Sequence, residues 1–260
     1  MFRRSESIEI KSVDEIALMR EAGLVVAKTL ETLREQIAPG MTTADLDSIA
    51  RESISGHGAT PSFLGYYGFP AVICTSVNEE VVHGIPGDRV IRDGDIVSID
   101  CGAIVEGWHG DAAISILVGE VDPRVRELSE VTKAALWAGL AQAREGHRLS
   151  DIGNAIETCI RDAGDYGIVE EYVGHGIGSA MHMHPPVPNY GRPGRGPRLE
   201  SGMALAIEPM ATLGQPTVAV LADEWTVVTA DNLPAAHWEH TVAITDDGPW
   251  VTTSLEGTRL

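Results

Sequence analysis

Over the first 60 residues polar and apolar positions mix in the manner of amphipathic helices, and from about residue 70 they give way to β-branched runs of strand type. Ser12 with Glu15 three residues on is a capping-box signal for a helix to about Gln36, which Pro39-Gly40 stops. A second helix is predicted from about Thr43 to Ser55, followed by the Gly-, Pro- and Tyr-rich segment ATPSFLGYYGFPAVICTSVN. Strands are predicted over 71–76 and 81–83 and in a hairpin at 95–118, with Glu106-Gly107 marking its reversal. Asp122-Pro123 opens a long helix reaching about Glu145, and Gly146 ends it. Beyond about residue 168 the chain reads as strands interrupted by the loop HPPVPNYGRPGRGPR at 184–198.

The second half repeats the first. GMTTADLDSIARESISGHG at 40–58 aligns without gaps on GHRLSDIGNAIETCIRDAG at 146–164, an offset of 106, so that Asp45 falls on Asp151 and Ile54 on Ile160. Each half reads as long helix, short helix, then strands. That arrangement predicts a pseudo-twofold α/β (α+β) fold with one sheet shared between the halves. No linker is long or polar enough to separate independent domains. Residues 1–260 are therefore read as a single domain, with 1–11 as a short N-terminal extension.

Composition narrows the function classes. With 38 acidic against 19 basic residues the formal net charge is −19, which argues against a nucleic-acid-binding surface. MFRRSESIEIKSVDEI has two arginines but no apolar run behind them, unlike a secretory leader. No apolar stretch approaches the roughly 18 residues that span a membrane. Cys74, Cys101 and Cys159 are odd in number and widely spaced, and read as free thiols of a reducing cytoplasm.

The hairpin carries the first chemical signal. If its loop centres on Val105 and Glu106, Ile104 pairs with Gly107 and Asp100 stands directly opposite Asp111. Side chains alternate faces along a strand, so the two acids share one face, roughly 5 Å apart. They repel each other there, and a multivalent cation between them reverses the sign of that interaction. Three further ionisable residues lie within apolar, strand-like surroundings: His175 in GHGIG, Glu208 in MALAIEPM and Glu239 in WEHTVAIT. One imidazole and four carboxylates suit two divalent ions of the Mn, Co, Fe or Zn kind better than a thiolate site does. Four negative charges also balance two divalent cations. A pair of ions about 3.5–4 Å apart lowers the pKa of a shared water and clamps a tetrahedral intermediate.

Taken in order, NEEVVHGIP, DIVSIDCGAIVEGWHGD, GHGIG, MHMHPP, AIEPM and WEHTVAIT resemble the type I methionine aminopeptidases of bacteria, and the similarity runs from about residue 8 to residue 253. The resemblance implies the pita-bread fold, a pseudo-twofold repeat of helices packed on a shared, mostly antiparallel curved sheet. It implies hydrolytic removal of the initiator methionine from nascent chains whose second residue is small, with two divalent ions (Co, Mn, Fe, Zn or Ni) as cofactors. Carried over residue by residue, Asp100 holds one metal with both oxygens, Asp111 and Glu239 bridge the two, and His175 and Glu208 complete the second site. His83 contacts the substrate near its N-terminus, His182 hydrogen-bonds the scissile carbonyl, and Glu208 is the general base. Phe63, Tyr66, Phe69, Cys74, Met181 and Trp225 match the pocket for the methionine side chain, which needs apolar, polarizable walls. His109 is a neighbour of the site, and His184 occupies a position the family does not use. The family also implies a cytoplasmic monomer, partnered by nascent N-termini, whose docking to the ribosome would use the domain surface.

Two positions depart from the family pattern. Gly102 stands where many relatives carry Thr, and Tyr67 where some carry His. Residues 183–207 between His182 and Glu208 leave no room for the helical insertion of type II enzymes. Two other readings are weighed against this one. An X-Pro aminopeptidase or prolidase of the same fold usually has an extra N-terminal domain, whereas 11 residues precede the first helix here. A non-catalytic pita-bread binding module would have lost ligands, whereas all five are present.

Overall fold

The computed structural model describes residues 7–260. The Arg3-Arg4 stretch and most of the 1–11 extension lie outside the described residues. Among the described residues there are four α-helices: α1 (Val13–Gln36), α2 (Thr43–Gly56), α3 (Pro123–Leu140) and α4 (Leu149–Ala163). The Ser12–Glu15 capping box opens α1: Ser12 Oγ accepts from the Glu15 amide, and the Glu15 carboxylate accepts from the Ser12 amide at 2.7 Å. Helix α3 stops at Leu140 and does not reach Glu145. The amides of Gln142 and Ala143 turn back onto the carbonyls of Gly139 and Leu140, so the chain tightens into turns before Gly146.

The repeat is visible in how its short helices begin. The Asp45 carboxylate accepts from the Thr42 amide at 2.7 Å, and Asp151, 106 positions on, accepts from the Arg148 amide at 2.8 Å. Each cap residue also bridges to a loop strand, Thr42 to Val90 and Arg148 to Arg198. Two apolar cores follow the same division. One joins α1 and α2 to the strands Ile73–Val77 and Ile96–Val105 through Val26, Leu33, Leu46, Ile73 and Ile99. The other joins α3 and α4 to Ala204–Ile207 and His240–Thr245 through Leu136, Leu140, Ile156, Leu205 and Val242. Burying one such side chain stabilises by about 1.5–3 kcal/mol, so each half has its own driving force for folding.

The shared sheet is not continuous. Among the described residues all strand pairings are antiparallel, but they fall into four sheets. The two halves meet where Ala113, in the strand Trp108–Leu117, and Glu239 exchange backbone hydrogen bonds of 2.9 and 3.3 Å. Thr241 adds to this seam, since its hydroxyl accepts from the Asp111 amide and donates to the Asp111 carbonyl.

One contact ties α1 to the same seam. Gly23 in α1 and Gly110 beside Asp111 meet backbone to backbone, and a Cβ built on Gly110 would lie 2.6 Å from the Gly23 nitrogen. Gly23 faces the Thr252 carbonyl on its other side. The Arg20 guanidinium, one turn earlier, donates to the carbonyls of Thr252, Ser254 and Leu255. Among the described residues no helix is long and apolar enough to cross a membrane.

Candidate metal centre and its pocket

The hairpin register differs from the expected one. Val105 pairs with Trp108 across a two-residue turn in which Glu106 and Gly107 both have positive φ, 49° and 87°. These are the dihedrals of the primed turn that matches strand twist, and glycine at the second position relieves the strain. Gly102 therefore faces Asp111, and Asp100 faces Ala113. Because the slip is two residues and not one, both acids stay on one face, now as a diagonal pair. Their carboxyls remain close enough to interact electrostatically.

The other three residues arrive from the second half. His175 lies in the strand Gly174–Gly176, Glu208 directly follows Ala204–Ile207, and Glu239 directly precedes His240–Thr245. His175 Nε2 stands 3.6 Å from Glu208 Oε1 and 3.7 Å from Asp111 Oδ2. Its Nδ1 lies 2.9 Å from the Gly176 carbonyl, a partner that can only accept, so the ring proton sits on Nδ1. The Nε2 lone pair is then turned to the carboxylates, as a metal-binding imidazole requires.

Asp111, Glu239 and His175 are buried, while Asp100 and Glu208 keep some exposure. Burial raises the Asp100 pKa to about 7. Burial, reinforced by neighbouring carboxylates, raises Asp111, Glu208 and Glu239 well above the usual carboxylate range. Burial, and then the nearby His182, lowers His175 to about 3. Asp100 Oδ1, Asp111 Oδ1 and Glu239 Oε1 are buried without a hydrogen-bond partner. Unpartnered carboxylate oxygens turned toward one imidazole lone pair are costly unless a cation lies among them. The donor set, oxygen-rich with one bare nitrogen, fits divalent transition ions. Asp111, His175 and Glu239 form one convergent group and Glu208, His237 and Glu239 a second, so Glu239 belongs to both.

Above these residues opens a cavity of about 300 Å³. Phe63, Tyr66, Phe69, Cys74, Met181 and Trp225 form its apolar wall, and His83, His182 and the four acids its polar floor. All thirteen residues singled out from the sequence line this one space, together with Tyr67. His83 sits just past the strand Glu80–Val82 in the left-handed region, φ 61°, with Tyr172 and Trp225 edge-on to its ring. The Tyr66 hydroxyl lies 2.9 Å from His182 Nδ1. If it donates there, the His182 proton is on Nε2. Burial lowers the pKa of both histidines, His83 to about 4, and keeps them neutral.

The departures also have structural correlates. A Cβ on Gly102 would lie 2.8 Å from Ser62 Cβ and 3.0 Å from Phe63 Cε1, so glycine here lets the pocket wall approach the Asp100 strand. Ser62 Oγ occupies part of that space and hydrogen-bonds His109 Nδ1 at 3.0 Å. Tyr67 is exposed at the rim in a left-handed conformation, φ 47°. One residue escaped the sequence reading altogether. His237, two positions before Glu239, is buried with its Nε2 3.7 Å from Glu208 and 3.9 Å from Glu239. The signal was present in AAHWEH, since alternation along an extended chain puts positions 237 and 239 on one face.

Fold and site together define a metal-dependent peptidase, and residues 17–246 match the model of metallopeptidase family M24. The chain is 54% identical over 249 residues to methionine aminopeptidase 1 of Mycobacterium tuberculosis, covering 94% of each chain. The crystal structure of methionine aminopeptidase from Thermotoga maritima superposes with a TM-score of 0.93 at 42% identity, over 95% of this chain and all of that one. The prolidase from Pyrococcus furiosus, 24% identical with a TM-score of 0.76 over 94% of this chain and 65% of its own, shares the fold alone. The chain belongs to family M24 and, within it, to the methionine aminopeptidases, hydrolases that act on peptide bonds.

Proposed function

We propose that this protein cleaves methionine from the amino end of newly made chains whose second residue is small, using two divalent cations held by Asp100, Asp111, His175, Glu208 and Glu239. The observation that carries this reading is the convergence of five donors at the base of a cavity walled by Phe69, Cys74, Met181 and Trp225. When bound, the cations neutralise the carboxylates and activate a water. Asp100 would hold one ion, Asp111 and Glu239 would hold both, and His175 and Glu208 would hold the other. Glu208 takes a proton from the attacking water and passes it to the leaving amine. A Tyr66 hydroxyl that donates to His182 Nδ1 leaves Nε2–H to donate to the carbonyl oxygen as charge develops there. His83 lies against the incoming N-terminal residue. Tyr66 and Tyr67 at the rim leave little width for the second side chain, which favours small residues there.

We assign the activity to a monomer in the cytoplasm. One chain lines the whole cavity, and its three cysteines are free thiols. The surface charge disfavours direct contact with RNA, so any docking near the ribosomal exit would use protein surfaces. The test is turnover of Met-Ala-Ser, Met-Lys-Ser and Ala-Pro peptides after loading with Co, Mn or Fe. Cleavage of Met-Ala-Ser well ahead of the others is expected. No cleavage with any metal, or preference for Ala-Pro, would overturn the assignment.

A further inference from the structure

Glu208 lies between two imidazoles that face different oxygens. His175 Nε2 is 3.6 Å from Oε1, and His237 Nε2 is 3.7 Å from Oε2. The two rings are not equivalent. His175 lines the cavity and carries its proton on the far nitrogen, so a lone pair points at the site. His237 does not line the cavity; it is 1% exposed and sits behind the carboxylates at the end of the strand Ala235–His237. Its Nε2 is buried with no hydrogen-bond partner, and the groups it confronts are Glu208 Oε2 and, at 3.9 Å, Glu239 Oε2.

An ionised carboxylate only accepts hydrogen bonds. With cations bound these carboxylates are ionised, and a nitrogen lone pair directed at two of their oxygens, 3.7 and 3.9 Å away, would be repelled by both, whereas an N–H there is attracted to both and needs only a slight approach to hydrogen-bond Glu208. The backbone fixes the ring in this position. The His237 amide donates to Ser115 Oγ at 3.0 Å, and Ser115 Oγ donates to the His237 carbonyl at 2.9 Å, which locks this strand to the hairpin that carries Asp111.

We propose that His237 is a positioning residue for the metal centre. Its Nε2–H holds Glu208 Oε2, and secondarily Glu239, so that Glu208 Oε1 stays turned toward the cavity beside His175. The proposal rests on the dinuclear reading above. It gives Glu208 one oxygen committed to the protein and one free for metal binding and proton transfer, and it gives His175 and His237 opposite tautomers.

Two variants and one measurement on the unmodified protein test it. His237→Leu keeps bulk without a donor, and His237→Gln keeps an amide N–H of comparable reach. In calorimetric titration of the metal-free proteins with manganese, His237→Leu should weaken one of the two binding steps by about 10- to 100-fold and leave the other unchanged. Its kcat on Met-Ala-Ser should fall by a similar factor with KM little changed, and His237→Gln should recover most of both losses. X-ray absorption of the cobalt-loaded unmodified protein should show one imidazole shared over two ions. Two imidazoles would make His237 a ligand and overturn the proposal, as would Leu and unmodified proteins that titrate alike, or Leu and Gln variants that are equally impaired. If His237→Leu does not fold, the Gln variant and the absorption spectrum still decide. An unmodified protein that binds no divalent ion would overturn the dinuclear reading itself, a result separate from any difference among variants.

Discussion

The two halves of the molecule build their shares of the site by different means. The first supplies Asp100 and Asp111 from one hairpin, where a two-residue turn sets their spacing. The second supplies His175, Glu208 and Glu239 from the ends of separate strands, and only the closing of several ladders brings them together. A local device tolerates distant disturbance, whereas a non-local one depends on everything packed around it. The acids of the first half are thus a preformed pair, and the residues of the second are an assembly.

Loss of an acid proposed to bridge the cations should have the largest effect, and it sharpens this contrast. Asp111→Asn and Glu239→Gln should each lower kcat/KM on Met-Ala-Ser by more than the roughly 10- to 100-fold typical of losing an outer partner of a metal ligand. If the second half depends on everything packed around it, excess manganese should rescue Asp111→Asn better than Glu239→Gln. Equal rescue would break the comparison.

Next in size is the pH dependence of the metal-free protein. The His175 pKa is about 3 in the folded chain, below the ordinary 6.5, so its contribution to stability is present above 6.5 and is lost as pH falls toward 3. Asp100 moves the other way, from an ordinary 3.8 up to about 7, so its contribution is full below 3.8 and is lost as pH rises through 7. The thermal midpoint of metal-free protein should therefore fall on both sides of an intermediate optimum. A divalent ion competes with protons for these carboxylates and should raise the midpoint most above pH 7. Melting curves across pH 4–9, with and without manganese after chelation, check this. A gain independent of pH would contradict it.

The smallest expected effect compares the repeated helix starts. Asp45 and Asp151 cap equivalent helices, but Asp151 also accepts from the Gly194 amide at 2.7 Å, tying α4 to the 184–198 loop. Asp151→Ala should lower the melting temperature more than Asp45→Ala. The reverse order would show that the first cap bears more of the strain.

Local signals made much of this legible in the sequence. The Ser12–Glu15 capping box and the turn residues are short-range features, and the elements they announce are present. The five candidate donors were conspicuous because ionisable groups inside apolar strand patterns need a partner. What was missed depends on geometry that composition does not encode. The choice between a turn centred on Val105-Glu106 and one on Glu106-Gly107 rests on which pair accepts positive φ, and that choice moved Asp100 from opposite Asp111 to diagonal. The end of α3 is set by turn hydrogen bonds that precede its glycine. His237 reads as an ordinary histidine until the ladders place Glu208 against it.

The close approach of Gly23 and Gly110 has a consequence for the order in which the protein comes into being. Helix α1 lies against the strand beside Asp111 with Thr252 on its other flank, where Arg20 holds the carbonyls of residues 252, 254 and 255. Synthesis delivers Arg20 232 positions ahead of Thr252. The first helix can settle on its own half's core early, but these flank contacts must wait for the second half. A half-made copy therefore carries both aspartates but lacks His175, Glu208 and Glu239.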